Sequence, residues 1–341
     1  MKFEDQLKST ANAMVAPGKG LLAADESSGT IAKRFDAVSI ENTEENRRQY
    51  RQFLLSAKGN EEFLSGVILF DETIRQKDDN AIPLAEVLKE KGIILGIKVD
   101  KGAKDLALHM GEKVTEGLDG LRERFSEYAD MGAGFAKWRS VITIEGDSLP
   151  STACYEANAN VLALYAGLAQ EAGIVPVVEP EVLLDGTHSI ERCYEVTAET
   201  LDTLFAALKN QDILLEGLIL KASMVLSGKD AVNRADVQTV AEQTLKCLKE
   251  HVPSSVAGVV FLSGGQSEEE ATAHLNAMNK LGSAPWPLTF SYSRAIQNPV
   301  LKLWAVGDKE KAEAAYIHRG KANSLAASGK WSEDFEADKP Y

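Results

Sequence analysis

The sequence has few cysteines, and their spacing matches no motif. Cys154, Cys193 and Cys247 are widely separated, and no pair has the CxxC spacing of a zinc or redox motif. An odd number of dispersed cysteines provides no disulfide framework and is typical of a reducing compartment. The five histidines have no HxxxH or HxH spacing. The pattern therefore gives no support for a metal-dependent mechanism.

Long hydrophobic runs are also lacking. No apolar segment approaches the roughly eighteen residues of a membrane-spanning helix, and the start of the chain, Met1–Gln6, lacks the apolar core of a secretory signal. The formal net charge of −14 argues against nucleic acid or an anionic membrane as the main partner. We therefore predict a cytoplasmic protein with no nucleic-acid or membrane partner. A small anionic substrate in a local basic pocket is compatible with this charge.

Eight short apolar runs separated by helical stretches make up most of the 341 residues. Several runs are apolar throughout, as in parallel strands buried on both faces. Amphipathic helices are predicted between them, for example over Val182–Lys209 and Ala231–His251. Eight repeats without a linker favour an α/β fold with a closed (β/α)8 TIM barrel, and an open doubly wound sheet is the alternative. The predicted strands are Gly20–Ala24, Gly66–Phe70, Ile93–Val99, Gly134–Trp138, Ile174–Glu179, Gly217–Lys221, Ala257–Leu262 and Pro287–Tyr292.

The two ends of the chain depart from this repeat. Phe3–Met14 predicts a helix that covers the bottom of the barrel. After Leu325 the pattern fades into a polar segment that ends at Tyr341. We therefore expect one catalytic domain over residues 1–325 and a flexible tail over residues 326–341, because polar termini have little to hold them.

Lys221 provides the first indication of chemistry. It ends the apolar run Glu216–Lys221 and would lie at the carboxyl end of a strand, where barrel enzymes place their active sites. Desolvation and neighbouring cations both favour the neutral amine that attacks a carbonyl. Taken alone, a lysine at this position is more readily explained as a snorkelling side chain at the end of a strand.

Charged residues also end the other predicted strands. Because the carboxyl ends of barrel strands meet at one mouth, we expect these side chains to face one another. Burying this many charges is costly unless they are paired or used. The set consists of Asp25, Lys98, Lys137, Arg139, Glu179, Glu181 and Lys221.

Two segments have the features of phosphate sites. Ser263–Gly265 leaves the seventh strand and leads into a helix, where Ser267 and Glu270 have the spacing of a capping box. Arg294 follows the eighth strand and adds a guanidinium. A second anion site is predicted near the first strand. It comprises Ser27, Thr30, Arg34 and Lys98. Two phosphate sites across one mouth would suit a bisphosphorylated linear sugar.

Together these segments resemble class I fructose-bisphosphate aldolase, the metal-free, lysine-dependent glycolytic enzyme. The resemblance implies a lyase that reversibly cleaves fructose 1,6-bisphosphate to dihydroxyacetone phosphate and glyceraldehyde 3-phosphate through a lysine Schiff base. It also implies no metal or other cofactor, sugar phosphates as ligands, and a homotetramer. The matching segments are Leu22–Ser27, Glu41–Arg47, Gly96–Gly102, Phe135–Arg139, Val178–Glu181 and Phe261–Glu270.

The resemblance further implies a role for each matching residue. Lys221 would attack the C2 ketone, Glu179 would act as general acid and base in carbinolamine dehydration, and Asp25 would take the C4 hydroxyl proton. Lys137 would polarise the groups near Lys221. The orienting residues would be Arg139 and Glu181. The C1 phosphate would contact Ser263, Gly264, Gly265, Ser293 and Arg294. The C6 phosphate would contact Ser27, Thr30, Arg34 and Lys98. The terminal tyrosine, Tyr341, would assist proton exchange at the enamine carbon.

The chain departs from the family pattern in two places. Ser293 stands where animal members commonly have glycine, and its bulk would change phosphate affinity or loop motion. The tail is shorter and its segment Glu333–Lys339 is strongly acidic, which leaves the reach of Tyr341 into the pocket open.

Two other functions remain as alternatives. Another lysine-dependent aldolase or a transaldolase would need only one phosphate site. A non-catalytic sugar-phosphate-binding scaffold would be expected to have lost Lys221, Glu179 or Asp25, which are all present. The preference between fructose 1,6-bisphosphate and fructose 1-phosphate and the physiological direction do not follow from the sequence.

Overall fold

Eight parallel strands close into a barrel surrounded by helices in the structure, a computed structural model that describes residues 2–282 and 284–341. The barrel strands are β1 Gly20–Ala24, β2 Leu64–Leu69, β3 Ile94–Lys98, β6 Phe135–Ile142, β7 Val175–Val182, β8 Ile219–Ala222, β9 Gly258–Phe261 and β10 Leu288–Tyr292. Around the barrel their order is β1-β2-β3-β6-β7-β8-β9-β10, and β10 pairs with β1. This confirms the (β/α)8 TIM barrel over the open sheet. An antiparallel hairpin that the sequence analysis missed consists of β4 Ala103–Asp105 and β5 Lys113–Thr115.

Helices occupy most of the chain between the strands. Short 3₁₀ turns lie at Asn60–Glu62 and Leu215–Gly217. The α-helices are α1 Glu4–Met14, α2 Ser28–Asp36, α3 Glu44–Ser56, α4 Asp71–Ile74, α5 Leu84–Glu90, α6 Leu121–Asp130, α7 Thr152–Glu171, α8 Ile190–Asn210, α9 Val237–His251, α10 Glu268–Leu281, α11 Arg294–Ala305, α12 Lys309–Ala327 and α13 Glu333–Ala337. Within the described residues, no helix is both long and apolar enough to cross a membrane.

Two predicted helix starts were wrong. β7 stays paired with β6 as far as Val182, so the helix predicted from Val182 begins only at Ile190. The helix predicted from Ala231 begins at Val237, where the side chain of Asp236 accepts a hydrogen bond from the Thr239 amide at 2.8 Å. Both corrections lengthen the loops that follow β7 and β8 on the carboxyl side of the barrel.

The barrel interior is apolar at its lower end. Inward side chains of the strands form a cluster with α1, which closes the bottom as predicted. Phe135 fills the space beside β3 so closely that a Cβ on Gly96 would lie 2.2 Å from its ring. The packed cluster therefore leaves only the opposite end of the barrel open for a site. Its buried members are Leu7, Ala11, Met14, Val15, Leu21, Ala23, Ile68, Phe135, Val175, Val177, Ile219 and Val260.

The tail packs against the outside of the barrel. Glu336 on α13 makes an ion pair with Arg319 of α12, Phe335 stacks on the ring of His318, and the ring of Tyr341 lies edge-on to the same histidine. The expectation of a tail with little to hold it was therefore wrong in this respect, because Glu336, which looked solvated in sequence, pairs with Arg319 on α12. The repeat also extends slightly further than expected, since α12 ends at Ala327.

Candidate active site

Charge replaces apolar side chains where the strands reach the mouth of the barrel. Side chains alternate along a strand, so every second residue faces the interior. On β6 this places Lys137 and Arg139 above Phe135, and on β7 it places Glu179 and Glu181 above Val177. The two strands pair in register, with Arg139 opposite Glu179. The same alternation directs the intervening Trp138 outward, where its ring packs against Tyr165 of α7.

These side chains line a cavity of about 460 Å³ at the carboxyl end of the barrel. A larger depression of about 710 Å³ lies beside Phe205 and Pro253 at the other end, but a single lysine and two carboxylates in its wall give it no comparable chemistry. Chemical content therefore identifies the candidate site. Of the predicted residues, those that line the cavity are Asp25, Ser27, Thr30, Arg34, Lys98, Lys137, Arg139, Glu179, Glu181, Lys221, Ser263, Gly264, Ser293 and Arg294.

Four buried groups form a continuous chain of ion pairs in the cavity floor. Lys221 Nζ lies 3.1 Å from Glu179 Oε1, Lys137 Nζ lies 3.3 Å from Glu179 Oε2, and Lys137 Nζ lies 2.7 Å from Asp25 Oδ2. The side chain of Lys221 is only 5% exposed. The cation expected beside Lys221 is therefore present, but Glu179 lies between the two amines.

Coulombic interaction outweighs desolvation for these carboxylates. Burial raises the pKa of Asp25, but Lys137 and Lys221 outweigh it and lower the pKa to about 2. Burial likewise raises the pKa of Glu179, and the same two lysines hold it below its ordinary value. For Lys137, the negative charges of Asp25 and Glu179 outweigh burial and raise the pKa. Both carboxylates are thus ionised proton acceptors in the unliganded site.

Arg139, Glu181 and Asp100 extend this arrangement toward the mouth. Arg139 Nε donates to Glu181, and the backbone amide of Arg139 lies 3.4 Å from a carboxylate oxygen of Asp100. Asp100 also holds Lys98, whose Nζ lies 2.8 Å from its carboxylate. Asp100 was not among the predicted site residues, although its position in the segment Lys98–Lys101 offered a signal. No group of side chains in the described part of the chain has the composition and proximity of a metal site.

The loop after β9 and the start of α11 lie together where the first anion site was predicted. Ser263 Oγ accepts a hydrogen bond from the Ala295 amide at 3.4 Å, which joins the two segments. Gly264 approaches Glu181 so closely that a Cβ would lie 3.0 Å from its carboxylate. Arg294 extends into solvent at the mouth, where burial of its inner part and the nearby charge of Arg34 lower its pKa. Such cationic crowding favours an anionic ligand.

The capping box predicted at the start of α10 is present. Ser267 Oγ accepts from the Glu270 amide at 3.1 Å, and Glu270 Oε2 accepts from the Ser267 amide at 3.0 Å. Gly265 has a φ of +78°, a conformation that favours glycine. It lies in this loop but outside the cavity wall, so any contact with a ligand would involve its backbone.

Arg34 belongs to a network that the sequence analysis did not identify. It makes an ion pair with the buried Glu26, which also lies 2.5 Å from Arg51. Ser293 Oγ donates to Glu26 at 2.8 Å and accepts from Arg34 at 3.0 Å. Glu26 directly follows Asp25, but Arg51 lies on α3 and gave no sequence signal. In this arrangement the hydroxyl of Ser293 contacts both Arg34 and Glu26.

Two predicted residues of the second anion site lie at its rim. Ser27 Oγ and Thr30 Oγ1 are 3.2 Å apart at the start of α2, and Thr30 is exposed. Tyr341 is the one predicted catalytic residue outside the cavity wall, since it lies against His318.

Comparison with known proteins agrees with this geometry. The sequence profile described as "Fructose-bisphosphate aldolase class-I", of the glycolytic type, matches residues 6–340. The chain is 59% identical to the probable fructose-bisphosphate aldolase class 1 of Xanthomonas campestris, over 96% of this chain and 98% of that protein. It is 50% identical to cytosolic fructose-bisphosphate aldolase 5 of Arabidopsis thaliana, over 99% and 94%.

A solved structure is similar in both fold and sequence. Fructose-bisphosphate aldolase of Plasmodium falciparum, solved in complex with TRAP and a small-molecule inhibitor, superposes with a TM-score of 0.95. Its sequence is 47% identical, and the match covers 97% of this chain and 96% of that one.

The chain forms a closed α/β barrel with buried lysines paired to carboxylates at its mouth. It also matches aldolases over residues 6–340. These findings together define a barrel lyase of the aldolase class. The chain belongs to the class I fructose-bisphosphate aldolase family. It is an enzyme of that activity, and nothing in the comparisons favours the non-catalytic alternative.

Proposed function

We propose that this enzyme cleaves fructose 1,6-bisphosphate through a Schiff base on Lys221, with Glu179 and Asp25 moving the protons and Lys137 orienting both carboxylates. The observation that carries the proposal is the chain of contacts Lys221–Glu179–Lys137–Asp25, with distances of 2.7 to 3.3 Å. It places an amine nucleophile beside a proton acceptor, as covalent catalysis at a carbonyl requires.

Schiff-base formation begins with the removal of a proton from Lys221. Glu179 lies 3.1 Å from Nζ and is ionised, so it accepts this proton. The free amine then attacks the C2 ketone to give a carbinolamine. Protonated Glu179 returns its proton to the leaving hydroxyl, which departs as water and leaves an iminium ion. Lys137 remains cationic in this role and orients both carboxylates.

Cleavage of the C3–C4 bond uses Asp25 as the base. Asp25 takes the proton of the C4 hydroxyl, the C4–O bond becomes a carbonyl, and glyceraldehyde 3-phosphate leaves. The electron pair of the broken bond moves to the iminium, which becomes a neutral enamine instead of an enolate. The low pKa of Asp25, about 2, keeps its carboxylate free to accept this proton. Protonation at C3 and hydrolysis then release dihydroxyacetone phosphate.

The two anion sites hold the two ends of the substrate in this proposal. The C1 phosphate lies against Ser263, Gly264, Gly265, the backbone of Ser293 and the guanidinium of Arg294. The C6 phosphate lies against Ser27, Thr30, Arg34 and Lys98. Arg139 and Glu181, which form an ion pair in the cavity wall, orient the sugar carbons.

Borohydride trapping tests the assignment of the nucleophile. With dihydroxyacetone phosphate present, reduction is expected to leave a stable adduct on Lys221, identified by peptide mass spectrometry. Lys221→Ala is expected to abolish both the adduct and cleavage, whereas Lys209→Ala, which removes an exposed lysine far from the site, is expected to change neither. An adduct on Lys98 or Lys137 in the unmodified protein would refute the assignment.

The assembly and location of the enzyme are also proposals. The family resemblance supports a homotetramer, which light scattering tests directly because its mass would be about four times 36.9 kDa. A single-chain mass in solution would contradict it. Cytoplasmic location is supported by the cytosolic name of the Arabidopsis relative. Fractionation of cells expressing the native protein tests this location.

A further inference from the structure

Arg319 is a fully buried cation that the proposed mechanism does not use. It lies on α12, with 0% of its side chain exposed, outside the cavity wall. A buried guanidinium is costly unless an anion and further acceptors compensate it. The hydrogen-bond acceptors of Arg319 lie on three helices, α10, α11 and α13. Their positions indicate what Arg319 does.

Two of these acceptors are backbone carbonyls at the starts of helices that follow the phosphate loop and Arg294. Arg319 Nη2 donates to the Glu268 carbonyl at 2.7 Å, in the first residue of α10. Arg319 Nε donates to the Ala295 carbonyl at 3.2 Å, immediately after Arg294 in α11. One rigid guanidinium therefore connects the end of the Ser263–Ser267 loop to the residue beside the phosphate-binding arginine.

The charge of Arg319 is balanced from the tail. Its Nη1 donates to Glu336 Oε1 on α13, and the other oxygen of Glu336 lies 3.2 Å from His318 Nε2. The indole nitrogen of Trp331 donates to Glu336 at 3.2 Å. The carboxylate side chain is 11% exposed. Three side chains therefore fix the position of the Glu336 carboxylate.

We propose that Glu336 and Arg319 are positioning residues for the C1-phosphate site, so that the docked tail fixes the spacing between Arg294 and the Ser263–Gly265 loop. The inference rests on the proposed function of that site. Without the carboxylate, the guanidinium loses its counter-charge and no longer holds both helix starts in one place. Small displacements of binding groups weaken a ligand contact strongly.

Glu336→Gln in the full-length enzyme tests this role, since it removes the charge with little change of shape. We expect KM to rise about tenfold for fructose 1,6-bisphosphate and equally for fructose 1-phosphate, because both carry the C1 phosphate. We expect kcat to change less than about twofold, because Lys221 and Glu179 are not displaced. Glu333→Gln, an equal charge change at an exposed position on α13, is the matched control and is expected to leave KM unchanged.

A second variant and a second measurement complete the test. Glu336→Asp keeps the charge on a shorter side chain, so its KM is expected to fall between those of the native enzyme and Glu336→Gln; it replaces Glu336→Gln should that variant fail to fold. The calorimetric Kd of dihydroxyacetone phosphate is expected to rise with KM and requires no turnover. This measurement tests the site even if borohydride trapping at Lys221 failed and refuted the proposed chemistry.

Two results would overturn the inference. An unchanged KM and Kd with a lowered Tm would show that the pair only stabilises the fold. A KM increase confined to fructose 1,6-bisphosphate would place the effect at the C6 phosphate instead.

Discussion

At the residue scale, the active-site chemistry depends on how four buried charges share their partners. Lys137 pairs with both Asp25 and Glu179, and Lys221 pairs with Glu179. A carboxylate held by two ammonium groups remains ionised far into the acid range. In the proposed mechanism, Glu179 and Asp25 therefore act as bases at neutral pH without the raised pKa values found at many acid–base sites.

The ionisation of Asp25 gives a pH-dependent stability. Its pKa of about 2 lies below the ordinary 3.8, which corresponds to about 2 kcal/mol of stabilisation. Because the folded-state pKa is the lower one, this stabilisation is present above pH 4 and is lost as the pH falls toward 2. We expect the unfolding free energy of the native enzyme, relative to Asp25→Asn, to be constant from pH 6 to about 4.5 and to fall below that. Denaturant titrations across this range measure it, and a difference that is independent of pH would contradict the assigned ion pairs.

Arg294 is expected to contribute mainly to substrate affinity. Its guanidinium extends into solvent at the mouth, so its removal leaves no buried partner unpaired. A charge-assisted contact to phosphate contributes roughly 1.5–3 kcal/mol, so Arg294→Ala is expected to raise KM for fructose 1,6-bisphosphate roughly ten- to hundredfold. The Tm is expected to change little. Steady-state kinetics and thermal melts check both quantities, and an unchanged KM would move the phosphate elsewhere.

At the element scale, the starts of α10 and α11 differ in how their first side chains are used. Ser267 caps α10 reciprocally with Glu270, and the loop before it presents Gly264 to the cavity. The side chain of Ser293 at the start of α11 does not cap its own helix but contacts Glu26 and Arg34. The start of α10 is therefore capped by side chains, whereas the start of α11 has no side-chain cap.

This difference predicts the stability effect of a cap mutation. Ser267→Ala is expected to lower the unfolding free energy by about 1 kcal/mol, because the hydrogen bond from the Glu270 amide to the Ser267 hydroxyl is lost. Ser332→Ala, at the start of α13, serves as control because that side chain makes no capping hydrogen bond. Urea unfolding compares the two variants, and equal losses would show that the box contributes nothing.

Tyr341 cannot contact His318 and reach the active-site cavity at the same time. Tyr341 contacts His318 outside the cavity, so its proposed part in proton exchange requires the tail to leave that contact. We expect deletion of Tyr341 to lower kcat for fructose 1,6-bisphosphate while borohydride trapping on Lys221 is retained. Tyr341→Phe removes the hydroxyl but keeps the ring, so it distinguishes the contribution of one from that of the other. Full kcat in the deletion variant would show that this tail plays no part in proton exchange.

At the scale of the whole molecule, the core contains every cysteine of the chain. Cys154, Cys193 and Cys247 are free thiols with at most 3% exposure. Burial raises the pKa of Cys154 to about 11 and that of Cys247 to about 12, and it also raises the pKa of Cys193. Their reactivity therefore reports on opening of the molecule rather than on local chemistry.

Thiol titration is expected to show this directly. None of the three cysteines should react with a disulfide reagent at pH 8 in the native protein within minutes, and all three should react in guanidinium. Their reaction rates should rise together as denaturant is added, because they lie in the same core cluster. Rapid modification of one cysteine in the native state would indicate local opening at that position.

The sequence alone determined the barrel and most of its mouth. Apolar runs at regular spacing dictate buried parallel strands, and strand alternation then fixes which of Lys137, Trp138 and Arg139 points inward. Ser267 and Glu270 likewise predicted their own cap, because a capping box is a local interaction. Strand alternation and the capping box depend on neighbours within a few residues, so the sequence itself contains the information.

Only the tertiary structure decided which charges meet. Arg51 reaches Glu26 from α3, and Glu336 reaches Arg319 from the tail, across separations in sequence that carry no periodic signal. The tail looked solvated because acidic residues usually are, yet Glu336 pairs with the buried Arg319 of the preceding helix, α12. Contacts of this kind depend on the complete fold, since a buried charge selects its partner from whatever the packed elements bring within reach.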